Sequence, residues 1–166
     1  METLFNYIHE KLKITKKNFP SIKHYPKNRN ALMNIIEKKV YGESGRESNK
    51  IIDVSDIDIS DINPKSLGII FSYYEEVEEI KGLEYWDVSE IIKMHELFGN
   101  CKNLKFINGI EDWDVSNCDR FDGMFLNCES LKNLDLSNWK IKETAKVSGM
   151  FEGCNTSNIN MNYKKI

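Results

Sequence analysis

Histidine and proline are scarce in this chain, at three of each in 166 residues. Imidazole is the commonest general base near neutral pH, and none of His9, His24 and His95 stands beside a Ser, Cys or Asp in a recognisable nucleophile motif. His95 falls within an apolar-periodic run and is expected to be a partly exposed packing residue. No catalytic site is therefore expected, and the chain reads as no enzyme. The four cysteines include no C-x-x-C pair, which removes the zinc-ribbon pattern; no metal and no cofactor are implied. No stretch approaches the roughly 18 apolar residues of a membrane span. The start, METLFNYIHEKLKI, has no continuous apolar stretch before a small-residue cleavage site. The expected location is cytoplasmic, without membrane contact. A phosphate-cradling loop is missing too, because Gly42-Glu43-Ser44-Gly45-Arg46-Glu47-Ser48 lacks the G-x-x-x-x-G-K-[ST] spacing and reads as a connector.

Hydrophobic residues make up 40% and aromatic residues 11%, enough for a packed core. At this length one compact unit with an appended cap is expected. The net charge of −3 hides an asymmetry: residues 1–50 carry 11 Lys/Arg against 5 Asp/Glu, and residues 51–160 carry 10 against 21. Fields are set by local charge, so the acidic part should repel nucleic acid and attract a basic protein surface.

A repeat organises that acidic part. Phe71, Phe98, Phe125 and Phe151 recur at intervals of 27, 27 and 26 residues. Three residues after each stand Tyr74, Cys101, Cys128 and Cys154; nine after the first three stand Ile80, Ile107 and Leu134; twelve before the last three stand Trp86, Trp113 and Trp139. Trp86-Asp87-Val88-Ser89 and Trp113-Asp114-Val115-Ser116 are identical, and Ile57-Asp58-Ile59-Ser60 is a degenerate first copy. Several matches at one period mark a repeat architecture. Leu131, Leu134, Leu136 and Trp139 give L-x-x-L-x-L-x-x-W, a strand pattern. Ile91, Met94, Leu97, Phe98 and Cys101, like Cys118, Phe121, Met124, Phe125 and Cys128, fall at helical spacing. Ser89 and Ser116 are plausible N-caps for these short helices, and Pro64 suits a first helical turn. One strand and one short helix cannot bury their apolar sides alone, so successive copies must stack into ladders. The Trp, Phe and Cys rows become internal columns, with Ile91, Cys118 and Thr144 in another. The cysteines are read as small buried hydrophobes, in preference to a redox or soft-metal column. The Asp58, Asp87 and Asp114 column is read as three turn formers accepting backbone N–H groups, in preference to a cation site.

The run GIEDWDVSNCDRFDGMFLNCESLKNLDLSNW resembles the BspA-type leucine-rich repeats, with their W-D-V-S…M-F…C…S-L-x-x-L-D-L-S-x-W units. Such units occur in bacterial and mycoplasma surface proteins and in mobile-element proteins. The resemblance implies an α/β fold, a leucine-rich-repeat-like solenoid of about four strand-plus-short-helix copies, serving as a binding scaffold without catalytic residues.

The N-terminal segment differs. Leu4, Phe5, Ile8 and Leu12, and then Leu32, Ile35, Ile36 and Val40, lie at helical spacing on either side of Pro20 and Pro26. They predict a basic helical cap over residues 1–50, ahead of an acidic repeat region over 51–160 and a tail over 161–166. Lys11, Lys13, Lys16, Lys17, Phe19, Lys23, Tyr25, Lys27 and Arg29 mix positive charge with aromatics, as single-strand nucleic-acid binders do. The stronger reading is that the rings pack the cap while the lysines are solvated or complement the acidic repeats.

The expected function is protein interaction. Strand alternation turns Glu79, Lys81 and Glu84, then Phe106, Asn108 and Glu111, then Asn133, Asp135 and Ser137 outward on successive strands. Phe106 among acids is the expected anchor, and the expected partner is a protein with a basic surface. Family context sharpens this to a phage or mobile-element inhibitor of a host nucleic-acid-binding defence protein. The alternatives are nucleic-acid binding through the basic N-terminal segment and a bacterial surface adhesion role.

Overall fold

The computed structural model describes residues 21–45 and 48–166. The expected helix at Leu4–Leu12, the cluster from Lys11 to Phe19, and His9 lie outside the described residues. The second expected helix is α1, Arg29–Tyr41. Asn28 caps it, its Oδ1 accepting the Ala31 N–H at 2.9 Å, and Gly42 ends it with φ 64. Leu32, Ile36 and Val40 form its buried face, turned to the first strand.

Among the described residues seven short strands follow: β1 (Ile51–Asp53), β2 (Glu79–Lys81), β3 (Phe106–Ile107), β4 (Leu134–Asp135), β5 (Lys140–Ile141), β6 (Ile159–Asn160) and β7 (Lys164–Lys165). β1, β2 and β3 form one parallel sheet, β4 pairs with β6, and β5 pairs with β7, again in parallel. The register aligns Ile52, Ile80 and Ile107, and it aligns Leu134 with Ile159; all five side chains are buried. Between β3 and β4 the ladder continues through Ser130 N–H to the Lys102 carbonyl (3.2 Å) and Lys132 N–H to the Lys105 carbonyl (3.0 Å). Asn133 then turns left-handed at φ 55.

Parallel strands need a crossover, usually an α-helix. Here the crossover is a ribbon of turns, and the expected helices over Ile91–Cys101 and Cys118–Cys128 do not form. Two facts explain the difference. Glu96 (φ 49), Asn100 (φ 62), Gly123 (φ 61) and Asn127 (φ 55) sit in the left-handed region, which breaks a right-handed helix. The N–H groups of Met94, Glu96, Phe98 and Asn100 also donate to carbonyls of the next coil, at Arg120, Asp122, Met124 and Leu126, over 2.7–2.9 Å. Bridges from Ser66 to Lys93, Arg120 and Lys146 continue this second parallel ladder. Pro64 accordingly lies in a bend. Ser89 and Ser116 cap no helix; each donates its N–H to the Asp two residues before it, at 3.0 and 3.1 Å.

Between the two ladders lies the core. Phe71, Phe98, Phe125 and Phe151 stack with centroids 5.4, 5.5 and 5.2 Å apart and planes within 9°, 12° and 9°, the offset arrangement that aromatic quadrupoles favour. Each tryptophan indole donates to a carbonyl of the preceding coil: Trp86 to Val54 (3.3 Å), Trp113 to Leu83 (3.0 Å) and Trp139 to Ile110 (2.7 Å). Buried indole N–H groups need such partners. Ile91 and Cys118 are buried, but Thr144 is exposed and Ala145 takes the interior place. Residue 145 follows Cys118 by the same interval of 27 that separates Cys118 from Ile91, and its N–H closes the equivalent turn, onto the Lys142 carbonyl at 3.0 Å. Residues 161–166 are no free tail: β7 lines up with β5, Ile166 N–H donates to the Ile141 carbonyl at 2.9 Å, and Tyr163 packs on the core.

Candidate functional site: the strand face

Alternation along β1–β4 sends Ile52, Ile80, Ile107 and Leu134 inward and their neighbours to solvent. Glu79 and Phe106 are register partners, and so are Ile51 and Glu79. One row across the sheet therefore reads Ile51–Glu79–Phe106. Its two apolar members remain 52% and 39% exposed, large values for side chains a monomer would gain by burying. The next row pairs Asp53 with Lys81. Asn108 donates from Nδ2 to Glu79 Oε1 at 3.0 Å, and Lys81 Nζ lies 3.6 Å from the same carboxylate.

Glu84 is exposed at the following corner, where Gly109 approaches so closely that a Cβ would fall 2.4 Å from the Glu84 nitrogen. Glu111 is half-buried beyond it. Asn133 and Asp135 are exposed on β4, while Ser137 is half-buried and gives its N–H to Asp135 Oδ1 at 2.8 Å. That backbone hydrogen bond holds the Asp135 carboxyl below its ordinary range. A shallow depression lined by Asn133, Asp135, Ser157 and Asn160 extends the face across β6.

The structure thus brings Glu79, Lys81, Phe106 and Asn108 together on one sheet and places Asn133 and Asp135 beyond the break at Asn133. Glu84, Glu111 and Ser137 lie at the corners of the coils. Alternation within the degenerate first copy, Ile51-Ile52-Asp53, would have added Ile51 and Asp53. Beside the face, Glu78 takes Lys50 on one flank (2.8 Å) and Lys105 on the other. These two hydrogen-bonded lysines pull its pKa down to about 2. Glu78 is thus one carboxylate between two ammonium groups, and Asp53, Glu79, Glu84, Glu111 and Asp135 stand on the face with Lys81.

Of the basic residues described near the N-terminus, Lys23, His24, Lys27 and Lys39 turn to the first coil. Lys39 Nζ lies 2.7 Å from Asp56 Oδ1, Lys23 Nζ and His24 Nε2 lie 4.0 and 3.9 Å from Asp56 Oδ2, and Lys27 pairs with Asp61. His24 also joins the backbone of Ile57 as a parallel bridge. The repeated acids close turns. Asp58, Asp87 and Asp114 accept the N–H two residues on, at 2.9, 3.0 and 3.1 Å. Among the described residues no group of three His, Cys, Asp or Glu side chains could hold a metal ion, and no helix is long and apolar enough to cross a membrane.

Repetition at 26–28 residues, with the same polar anchors closing each copy, defines a repeat protein whose exposed surfaces are set by register. The chain belongs to the family described as "Mycoplasma protein of unknown function, DUF285", whose model matches residues 65–166. No curated protein and no solved structure matches it.

Proposed function

We propose that this chain is a non-catalytic protein-interaction module, a leucine-rich-repeat-like solenoid that binds a partner with a basic surface through its acidic strand face. The likeness of its W-D-V-S…M-F…C units to BspA-type repeats supports a scaffold role. The observation that carries the reading is the Ile51–Glu79–Phe106 row, in which two exposed apolar side chains flank a carboxylate. Apolar anchors ringed by like charge suit a partner of opposite charge, because the charges steer encounter and the anchors supply affinity. A finer version makes the module an inhibitor that occupies the basic groove of a nucleic-acid-binding protein.

The test compares the wild-type chain with Glu79→Lys/Glu84→Lys/Glu111→Lys as immobilised bait. The variant should fold with a nearly unchanged unfolding midpoint and lose the partners that wild type retains, and those partners should elute as salt rises past the point where exposed charges are screened. Equal capture by both chains, or complexes indifferent to salt, would sink the reading. Retention of short DNA or RNA by the variant and wild type alike at low salt would point to the N-terminal segment instead.

A further inference from the structure

The cysteine column is not uniform along its length. Each thiol donates to the phenylalanine carbonyl of the preceding coil: Cys101 to Phe71 (2.9 Å), Cys128 to Phe98 (3.1 Å) and Cys154 to Phe125 (2.8 Å). Cys101 and Cys128 are buried, as a packing role requires, whereas Cys154 is half-buried on the last coil. The ladder sets Cys128 and Cys154 side by side. Asn127 N–H donates to the Glu152 carbonyl at 2.7 Å, and the rings of Phe125 and Phe151 stack at 5.2 Å. Neighbouring strands lie roughly 4.7–4.9 Å apart, within the ~4.4–6.8 Å that separates the Cα atoms of a disulfide.

We propose that Cys154 and Cys128 form a thiol pair that low-molecular-weight disulfides oxidise, with Cys154 as the attacking sulfur and Cys128 as the resolving one. The Cys154 thiolate attacks one sulfur of R–S–S–R, so the Cys154 Sγ–S–R bond forms, the S–S bond of the reagent breaks and R–S⁻ leaves. Cys128 gives up its proton and attacks Cys154 Sγ, expelling the second R–S⁻. Two protein thiols are oxidised to one disulfide, one reagent disulfide is reduced to two thiols, and the two released protons end on those thiols.

The electrostatics give the order of events. The Cys128 thiol beside it can turn from the Phe98 carbonyl to a Cys154 thiolate, which lowers the Cys154 pKa, while the same contact, with burial, pushes Cys128 up. Burial pushes Cys101 to about 12. The thiolate is the nucleophile, so attack begins at the accessible end of the column and stops one coil in.

Oxidised glutathione, incubated with the folded full chain at neutral pH, tests this. The expected product has lost two hydrogen atoms in mass, and non-reducing peptide mapping places its link between Cys128 and Cys154. Cys101→Ser should give the same product at the same rate. Cys128→Ser, checked for an unchanged circular dichroism spectrum, should stop at one glutathione adduct on Cys154. A wild-type chain that stops at that adduct, does not react, or links Cys101 to Cys128 overturns the proposal, and these readouts do not depend on how any variant folds.

Discussion

Single side chains in this molecule are tied to neighbours about 27 positions away. Trp113 is 6% exposed, donates to Leu83 and sits with a coil on either side. Trp113→Ala removes a large buried ring and one of the two hydrogen bonds on the Leu83 carbonyl, which keeps the Trp86 N–H at 3.1 Å, so the unfolding free energy in urea should fall by roughly 3–5 kcal/mol, most of it from the lost ring. A wild-type midpoint would mean that the tryptophan column is not internal. His95 gives a second test, read through pH. Its ring packs on Gly68, where an added Cβ would lie 2.2 Å from Cε1, and its Nδ1 is buried without a hydrogen-bond partner. Burial, and then the Arg120 and Arg29 charges, lower its pKa against the opposing pull of Asp122 and Glu96. The folded state therefore prefers the neutral ring. Below the ordinary value of about 6.5 the unfolded chain binds the proton and the folded chain resists it, so this contribution is present above that pH and is lost as pH falls through it. His95→Gln should narrow the difference between urea midpoints at pH 7 and pH 5.5. An unchanged difference would show that His95 titrates alike in both states.

Among the elements, α1 is the part whose role is set by what it covers. It lays Leu32, Ile36 and Val40 on the first coil, Arg29 Nε donates to the Gly68 carbonyl at 2.8 Å, and Tyr41 meets Tyr74 edge-on at 5.9 Å. An open end of stacked strands invites pairing with another chain. Deleting residues 1–45 should therefore produce aggregation or a broadened unfolding transition, by light scattering and by circular dichroism. A soluble, cooperative truncation would show that α1 does not seal the stack. This helix was legible in the sequence because Leu32, Ile36 and Val40 keep one face through three turns. The turn ribbons were not, since Met94, Leu97, Phe98 and Cys101 keep helical spacing while lying in successive turns. The distinguishing signal was the Asn or Gly two residues after the phenylalanine, at Asn100, Asn127 and Gly153, each left-handed at φ 62, 55 and 77. In the first coil Tyr73 holds that place at φ 66, and Ile69, two residues before Phe71, holds the place of Glu96 and Gly123 at φ 59, so the ladder imposes there a conformation their side chains disfavour.

For the molecule as a whole, the period was readable because each coil buries the same kinds of side chain at the same places, so Phe, Trp and Cys recur in step. The strand face was readable in part. Alternation found Glu79, Lys81, Phe106 and Asn108, but nothing local in sequence shows that Lys50 and Lys105, 55 positions apart, both close on Glu78. That pairing depends on register alone. It also leaves Glu79, one residue along, as a carboxylate of the second strand free to meet an outside charge beyond its contacts with Asn108 and Lys81.

The repeated indole, thiol and amide donors between coils share a direction. Indole groups of Trp86, Trp113 and Trp139, thiols of Cys101, Cys128 and Cys154, and amides of Asn103, Asn117 and Asn127 all reach acceptors in the coil that precedes their own. A ribosome delivers the chain in that order. Each newly emerged coil thus brings these side-chain donors to acceptors already in place, while its N–H groups on the second ladder, such as those of Met94 and Phe98, wait for the carbonyls of the coil that follows, so that docking can advance with synthesis one coil at a time and each coil is completed by the next.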